Sequence, residues 1–187
     1  MQTIVAARPL THRWTRAQYE RMIEAGVLDE EDRVELIEGE IVAMSPQGSR
    51  HAAAIRLVHR ALRAAYPDDY LVDVQLPLAL GEASEPEPDV AVVKGDPRDF
   101  IDTHPDTAVL VVEVAESSAG FDRTRKQVLY AQHGIGEYWL VDLEAEHMEV
   151  YRHPAGTQYE EKTTLHRGDE IMPPESSTSI AVHDLLP

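Results

Sequence analysis

Three residues stand where the surrounding pattern demands something else, and their types suit one chemistry. Glu113 lies inside the run Val109-Leu110-Val111-Val112-Glu113-Val114-Ala115. An ionised carboxylate in such a run is costly unless it is paired or holds a cation. Asp89 opens a second apolar run, Val90-Ala91-Val92-Val93, behind Pro88. Lys126 shares a helical face with Asp122, Leu129, Tyr130 and His133, at spacings of three and four. Leu129 and Tyr130 must face a core, so Lys126 is expected beside or over it. Each residue also has a plain structural reading. Glu113 would sit in a buried salt bridge, Asp89 in a turn hydrogen bond, and Lys126 in a surface pair with Asp122. Taken together they suit metal-assisted phosphodiester hydrolysis. Two carboxylates on neighbouring strands repel each other and favour a hard divalent cation. Such an ion polarises a phosphoryl oxygen and lowers the pKa of bound water. A lysine nearby orients that water or stabilises the charged transition state. Asp89 and Glu113 are the expected metal ligands, Lys126 is the third catalytic candidate, and magnesium (or manganese in its place) is the expected cofactor.

Weaker candidates surround these three. Ser49 to Tyr66 contains no acid, in a chain with 34 acids and 17 Lys and Arg. Arg56, Arg60 and Arg63 fall on one face, opposite Ile55, Val58, Leu62 and Ala65. They are candidates for phosphate contact, although such a row is also the ordinary solvated face of a helix. His51 lies on the inward side of the first turn, near a cleft or as a core histidine. Glu35 and Asp122 are possible accessory acids, whereas exposed hairpin charge accounts for Glu38. His147, His153 and His166 show no zinc-ligand spacing. No glycine-rich phosphate loop is present, and no serine sits in a nucleophile elbow.

The elements that must position these residues are readable from periodicity. Thr15 to Val27 predicts a helix capped by Thr15. Arg33 to Met44 predicts a hairpin, with Leu36-Ile37 and Ile41-Val42 either side of Glu38-Gly39-Glu40. Ser49 to Tyr66 predicts the clearest helix, with Ser49 as cap and Pro67 as stop. Strands are expected over Tyr70 to Leu80, Asp89 to Val93 and Ala108 to Ala115, the last apolar on both faces and so central. A helix over Phe121 to His133 follows, then strands over Glu137 to Asp142, His147 to His153 and Glu160 to Met172, and a polar tail. This is an α/β fold with a mixed central sheet, read as one domain over residues 1–187 with its core at about 49–142.

Composition narrows the class. The chain has 187 residues, 43% of them hydrophobic, as in an ordinary folded protein. It has no cysteine, which excludes disulfides, thiol nucleophiles and zinc-thiolate sites. No run approaches the ~18 apolar residues of a membrane span, and no membrane partner is expected. Met1 to Leu10 lacks the features of a signal peptide, so the expected location is the cytoplasm. The net charge of −17 argues against a protein that coats DNA.

The ordered set of motifs resembles a known family. Val34-Glu35-Leu36-Ile37-Glu38-Gly39-Glu40-Ile41 is followed by His51 at the head of a helix, Glu87-Pro88-Asp89-Val90-Ala91-Val92-Val93 and Leu110-Val111-Val112-Glu113-Val114. Asp122, Lys126, Tyr130 and Gly134-Ile135-Gly136-Glu137-Tyr138-Trp139-Leu140-Val141-Asp142 complete it. Over roughly Thr15 to Arg152 this resembles the Uma2 family, bacterial proteins labelled as restriction endonucleases, in the PD-(D/E)XK nuclease superfamily. The resemblance implies a restriction-endonuclease-like core with an added N-terminal helix and hairpin. It makes Pro88-Asp89 the "PD" and Glu113 the second acid. Ala115 stands where the motif lysine normally does, and the resemblance shifts that role to Lys126 on the following helix.

The leading expectation is a magnesium-dependent endonuclease acting on nucleic acid, DNA before RNA. The alternative is a non-catalytic binding or assembly protein on a nuclease-like scaffold, favoured by the acidic charge and by Ala115. A phosphohydrolase of small nucleotides is the third reading. A homodimer is expected, through strand edges near Tyr138 to Tyr151.

Overall fold

A computed structural model of the protein describes residues 11–29, 31–44, 46–116 and 118–187; Met1 to Leu10, read above for a leader, lie outside them. The first helix, α1 (Arg16–Glu24), starts as its sequence predicts. The Thr15 hydroxyl accepts the Gln18 N–H at 3.3 Å and the Gln18 side chain accepts the Thr15 N–H at 2.9 Å, a capping box. The Tyr19 hydroxyl then donates to the Val34 carbonyl at 2.9 Å, tying α1 to the hairpin of β1 (Val34–Ile37) and β2 (Glu40–Ala43). Glu38 and Gly39 turn the hairpin with φ of 49° and 77°, the left-handed pair that matches strand twist. Helix α2 (Ser49–Ala65) begins at Ser49 with Gly48 in the cap position, one residue before the expected cap.

Six strands form the central sheet: β3 (Tyr70–Asp73), β4 (Val90–Lys94), β5 (Leu110–Ala115), β6 (Glu137–Asp142), β7 (His147–Ala155) and β8 (Gln158–Leu165). They lie in sequence order, antiparallel except for the β5–β6 pair. The fold is the expected mixed α/β sheet flanked by helices. The strand expected over Tyr70 to Leu80 ends at Asp73, because the chain turns at Gln75, whose φ is 52°. Parallel neighbours need a crossover, and the segment between β5 and β6 supplies it. It is α3 (Ala119–Phe121), a π-helical turn (Asp122–Lys126) and α4 (Gln127–Gln132), where a regular helix is expected.

Each face of the sheet is covered. On one, α2 packs Ile55, Val58 and Leu62 against Val92, Val112 and Trp139. On the other, Leu129 and Tyr130 of α4 pack with Val111, Tyr138 and Leu140. The expected polar tail is instead part of the core. β9 (Glu170–Ile171) pairs with β10 (Ile180–Ala181), and Val182, Leu185 and Leu186 join the α2 face. The proline- and serine-rich stretch between them hides this from a periodicity reading. The edges proposed for dimer contact are also corrected. Tyr138 and Tyr151 lie on β6 and β7, both interior, and the outer strands are β3 and β8.

Leu185 is fully buried, so Leu185→Ala is expected to cost about 2–4 kcal/mol by urea denaturation. A change below about 0.5 kcal/mol would show that the tail is not part of the core.

Candidate active site

The register of β4 on β5 decides the first contact. Val90 pairs with Val112, so one step earlier Asp89 lies opposite Glu113. Both side chains take the face covered by α4, along with Ala91, Val111 and Ala115. Asp89 Oδ2 accepts the Val114 N–H at 2.9 Å, and Oδ1 accepts the Gln75 amide at 3.2 Å. Glu113 Oε1 accepts both the Lys126 ammonium at 3.0 Å and the Tyr130 hydroxyl at 2.7 Å. Glu113 Oε2 has no hydrogen-bond partner among the described residues.

Lys126 is not in a surface pair. Its side chain is 7% exposed, and its ammonium also lies 3.2 Å from Glu35 Oε1. Glu35 Oε2 in turn accepts the Glu87 N–H at 3.1 Å. His51 Nε2 sits 2.7 Å from the Val114 carbonyl and 3.3 Å from Asp89 Oδ2, while Nδ1 is buried without a partner among the described residues. Asp122 accepts the Ser118 hydroxyl at 2.6 Å. Glu35, His51, Asp89, Glu113, Asp122 and Lys126 all line one cleft of about 270 Å³. Every catalytic and accessory candidate is therefore present there. Arg56, Arg60 and Arg63 are not. They are exposed on α2, outside the cleft lining, and Arg63 pairs with Asp68 at 2.6 Å.

The cleft holds more acid than its cations neutralise. Burial pushes the Glu113 carboxyl up to about 8; Lys126 opposes this, and Asp89, Asp122 and Glu35 add to it. Burial also raises Asp122, and it raises Glu87 with Glu35 adding. Burial would lower Lys126, but Glu113, Glu35 and Asp122 outweigh it and hold the ammonium charged. The Asp89 hydrogen bond raises His51 against its desolvation.

The donors suit a hard cation. Asp89 and Glu113 offer carboxylate oxygens, while the Val114 carbonyl is met by His51 Nε2 at 2.7 Å. Among the described residues no three His, Asp or Glu side chains form a ready cage. Oxygen donors of this kind suit a hard divalent cation.

The π-helical turn holds the lysine over this site. Arg123 reaches Asp142 at 2.6 Å and Glu149 at 3.0 Å, while Arg125 reaches Glu40 at 2.6 Å and Glu38 at 3.3 Å. π-turns are rare and often mark functional sites. Gln75, Glu87 and Arg33 are cleft-side residues that sequence reasoning missed. Glu87 is visible only as the residue that leads the Pro88-Asp89 motif, with no role assigned to it. Gln75 and Arg33 carry no signal, because their roles come from φ values of 52° and 46°.

The family model Uma2, described as "Putative restriction endonuclease", matches residues 16–182. The chain belongs to the Uma2 family. A crystal structure from Anabaena variabilis, described as "a putative nuclease belonging to DUF820", has a similar fold with a TM-score of 0.73. It is 17% identical, and the match covers 91% of this chain and 96% of that one. No curated protein matches the sequence. Within this Uma2 protein, Ala115 is fully buried in the α4-side apolar cluster, and Lys126 reaches Glu113 from the π-helical turn.

Glu149 anchors the π-turn from β7. Burial would raise its carboxyl, but hydrogen bonds from Arg123, Tyr151 and Lys162 hold it down at about 2. A depressed carboxylate stabilises the fold above its ordinary range near 4.5, and that contribution is lost as pH falls toward about 2. Glu149→Gln is thus expected to be destabilised at neutral pH, with its deficit shrinking on acidification. Thermal melts across that window check this; a deficit independent of pH would remove Glu149 from the clamp.

Proposed function

We propose that this protein is a divalent-metal-dependent nuclease that hydrolyses phosphodiester bonds, with Asp89 and Glu113 holding magnesium or manganese. The observation that carries this reading is the meeting of Asp89 and Glu113 across adjacent strands, with the Lys126 ammonium 3.0 Å from Glu113. Membership of the Uma2 family supports it. When bound, the cation would polarise the phosphoryl oxygen and make its water more acidic.

The chain's own residues have separable tasks. The Val114 N–H and Gln75 fix the Asp89 carboxylate. Tyr130 and Lys126 hold one oxygen of Glu113. His51 braces both Asp89 and the Val114 carbonyl. Lys126 is kept protonated by its acids, so its role is to donate to a phosphoryl oxygen and stabilise developing charge. A general base would need a free amine, which this environment opposes. The acidic chain, at −17, suits a polyanionic substrate only where a metal offsets the local charge. DNA is the first substrate to test, then RNA.

The same net charge favours a second reading, a binding or assembly protein that turns over nothing. A panel of DNA and RNA with magnesium or manganese separates the two. Asp89→Ala and Glu113→Gln are each expected to lower cleavage about a hundredfold or more, with circular dichroism confirming that each remains folded. Undiminished cleavage by either variant would contradict the assignment, and a panel left intact by the parent protein would favour the second reading. Lys126→Arg keeps the charge, and is expected to keep more activity than Lys126→Met at every pH tested. If Lys126 were the base, both variants would lose activity alike.

A further inference from the structure

Glu85 is a buried acid that the cleft does not use. It is 5% exposed and stands outside the cleft lining. It lies on the seam where α1 and the β1–β2 hairpin rest on the segment before β4. The backbone ties that seam closely. The Glu85 N–H donates to the Leu36 carbonyl at 2.7 Å, and the Leu36 N–H returns to the Glu85 carbonyl at 3.3 Å. The Gly39 N–H donates to the Ala83 carbonyl at 2.6 Å, and the Arg16 N–H to the Glu82 carbonyl at 2.7 Å. Glu82 to Glu85 thus join both α1 and the hairpin to the rest of the fold.

The Glu85 side chain is far less well met. Its Oε2 is buried with no hydrogen-bond partner among the described residues. The Arg16 guanidinium is 3.9 Å from that oxygen, beyond hydrogen-bond reach, and 3.4 Å from Glu20 on its own helix. One cation therefore serves two carboxylates and lies nearer the exposed one. A buried carboxylate without donors is costly as an anion, so such a site favours the neutral acid. Facing Glu85 are Arg16, Tyr19 and Glu20 from α1, and Glu87 from its own segment. The hairpin meets it through the Leu36 main chain, while Glu35 beside Leu36 turns to Lys126 at 3.2 Å. Burial pushes the Glu85 carboxyl up to about 7; Glu20 and Glu87 add to this, and Arg16 opposes it.

We infer that Glu85 is a proton-operated latch: its neutral carboxyl lets α1 and the β1–β2 hairpin seat on the core, and its ionisation loosens them. The neutral acid also has a proton to donate toward the Glu20 carboxylate, which a second anion lacks. The direction follows from linkage. A glutamate in the unfolded chain titrates near 4.5, whereas the folded protein holds this proton to about 7. The latch is therefore complete below about 4.5 and is lost as pH rises through about 7. The hairpin carries Glu35, so the latch bears on the seating of Glu35 beside Lys126. It requires no catalysis and stands apart from the phosphodiesterase reading.

The test is amide hydrogen exchange, read by NMR on the intact protein and on Glu85→Gln. The amides of Leu36 and Gly39 report the seam, and that of Val112 in β5 reports the core. The ratio of parent to variant exchange rates at the seam is expected to rise about tenfold between about pH 5 and about pH 8, while the ratio at Val112 stays constant. Glu113 also titrates toward the top of this range, but it is present in both proteins and cancels in the ratio. A seam ratio that does not change with pH overturns the latch. So does an equal rise at Val112, because the module then does not loosen on its own. A carbon-13 titration of the Glu85 carboxyl in the parent protein keeps the test independent of the variant's folding. Its midpoint is expected near 7, and lower in Glu20→Gln, which changes a half-exposed side chain. A parent midpoint near the ordinary 4.5 overturns the latch.

Discussion

A lysine ammonium buried away from water must be met by acids, and Lys126 determines where the parts of this molecule converge. Its Nζ lies 3.2 Å from Glu35 on the hairpin and 3.0 Å from Glu113 on the central sheet. Removing one partner of such a buried group leaves an uncompensated charge, which costs far more than the pair contributes. The hairpin's backbone bonds run to Trp14, Ala83 and Glu85, and Lys126 adds its link to the central sheet. Arg125 repeats the arrangement outside the cleft with Glu38 and Glu40, and Arg123 repeats it with Asp142 and Glu149. Three cations on one π-turn thus set the height of the helix above the sheet and close the hairpin over it.

That arrangement leaves the cleft short of positive charge. Glu113, Asp122 and Glu87 are all raised by burial, and each is pushed further by neighbouring acids. Asp89 itself is held by the Val114 N–H, the Gln75 amide and His51. A divalent ion from solution would supply the missing charge and lower the pKa values of those acids. The geometry that makes the folded protein electrostatically costly is therefore the geometry that would recruit a metal.

Much of this was legible in the sequence because each signal was local. Glu113 stands out in an apolar strand, Asp89 follows a proline at a strand entry, and Lys126 shares a helical face with Leu129 and Tyr130. The hairpin, the helix cap at Thr15 and the order of the core elements follow from spacing alone. What escaped depends on contacts across the fold. The π-turn adds a residue to a helix whose period reads as regular. Gln75 and Arg33 act through left-handed backbone, which their side-chain types do not announce. Leu185 and Leu186 are buried because β9 and β10 fold the tail back, and no short window shows that return. Ala115 carries the opposite lesson. It reads as a missing lysine, yet the resemblance already points to Lys126 on the following helix, and the Lys126 ammonium lies 3.0 Å from Glu113.

The central claim is that Asp89 and Glu113 recruit a divalent cation beside Lys126. Anomalous diffraction from crystals soaked in manganese tests it most directly. The account predicts an anomalous peak within coordination distance of both carboxylates, absent in crystals of Asp89→Ala. Manganese bound only elsewhere, or no peak in crystals that diffract well, would contradict it.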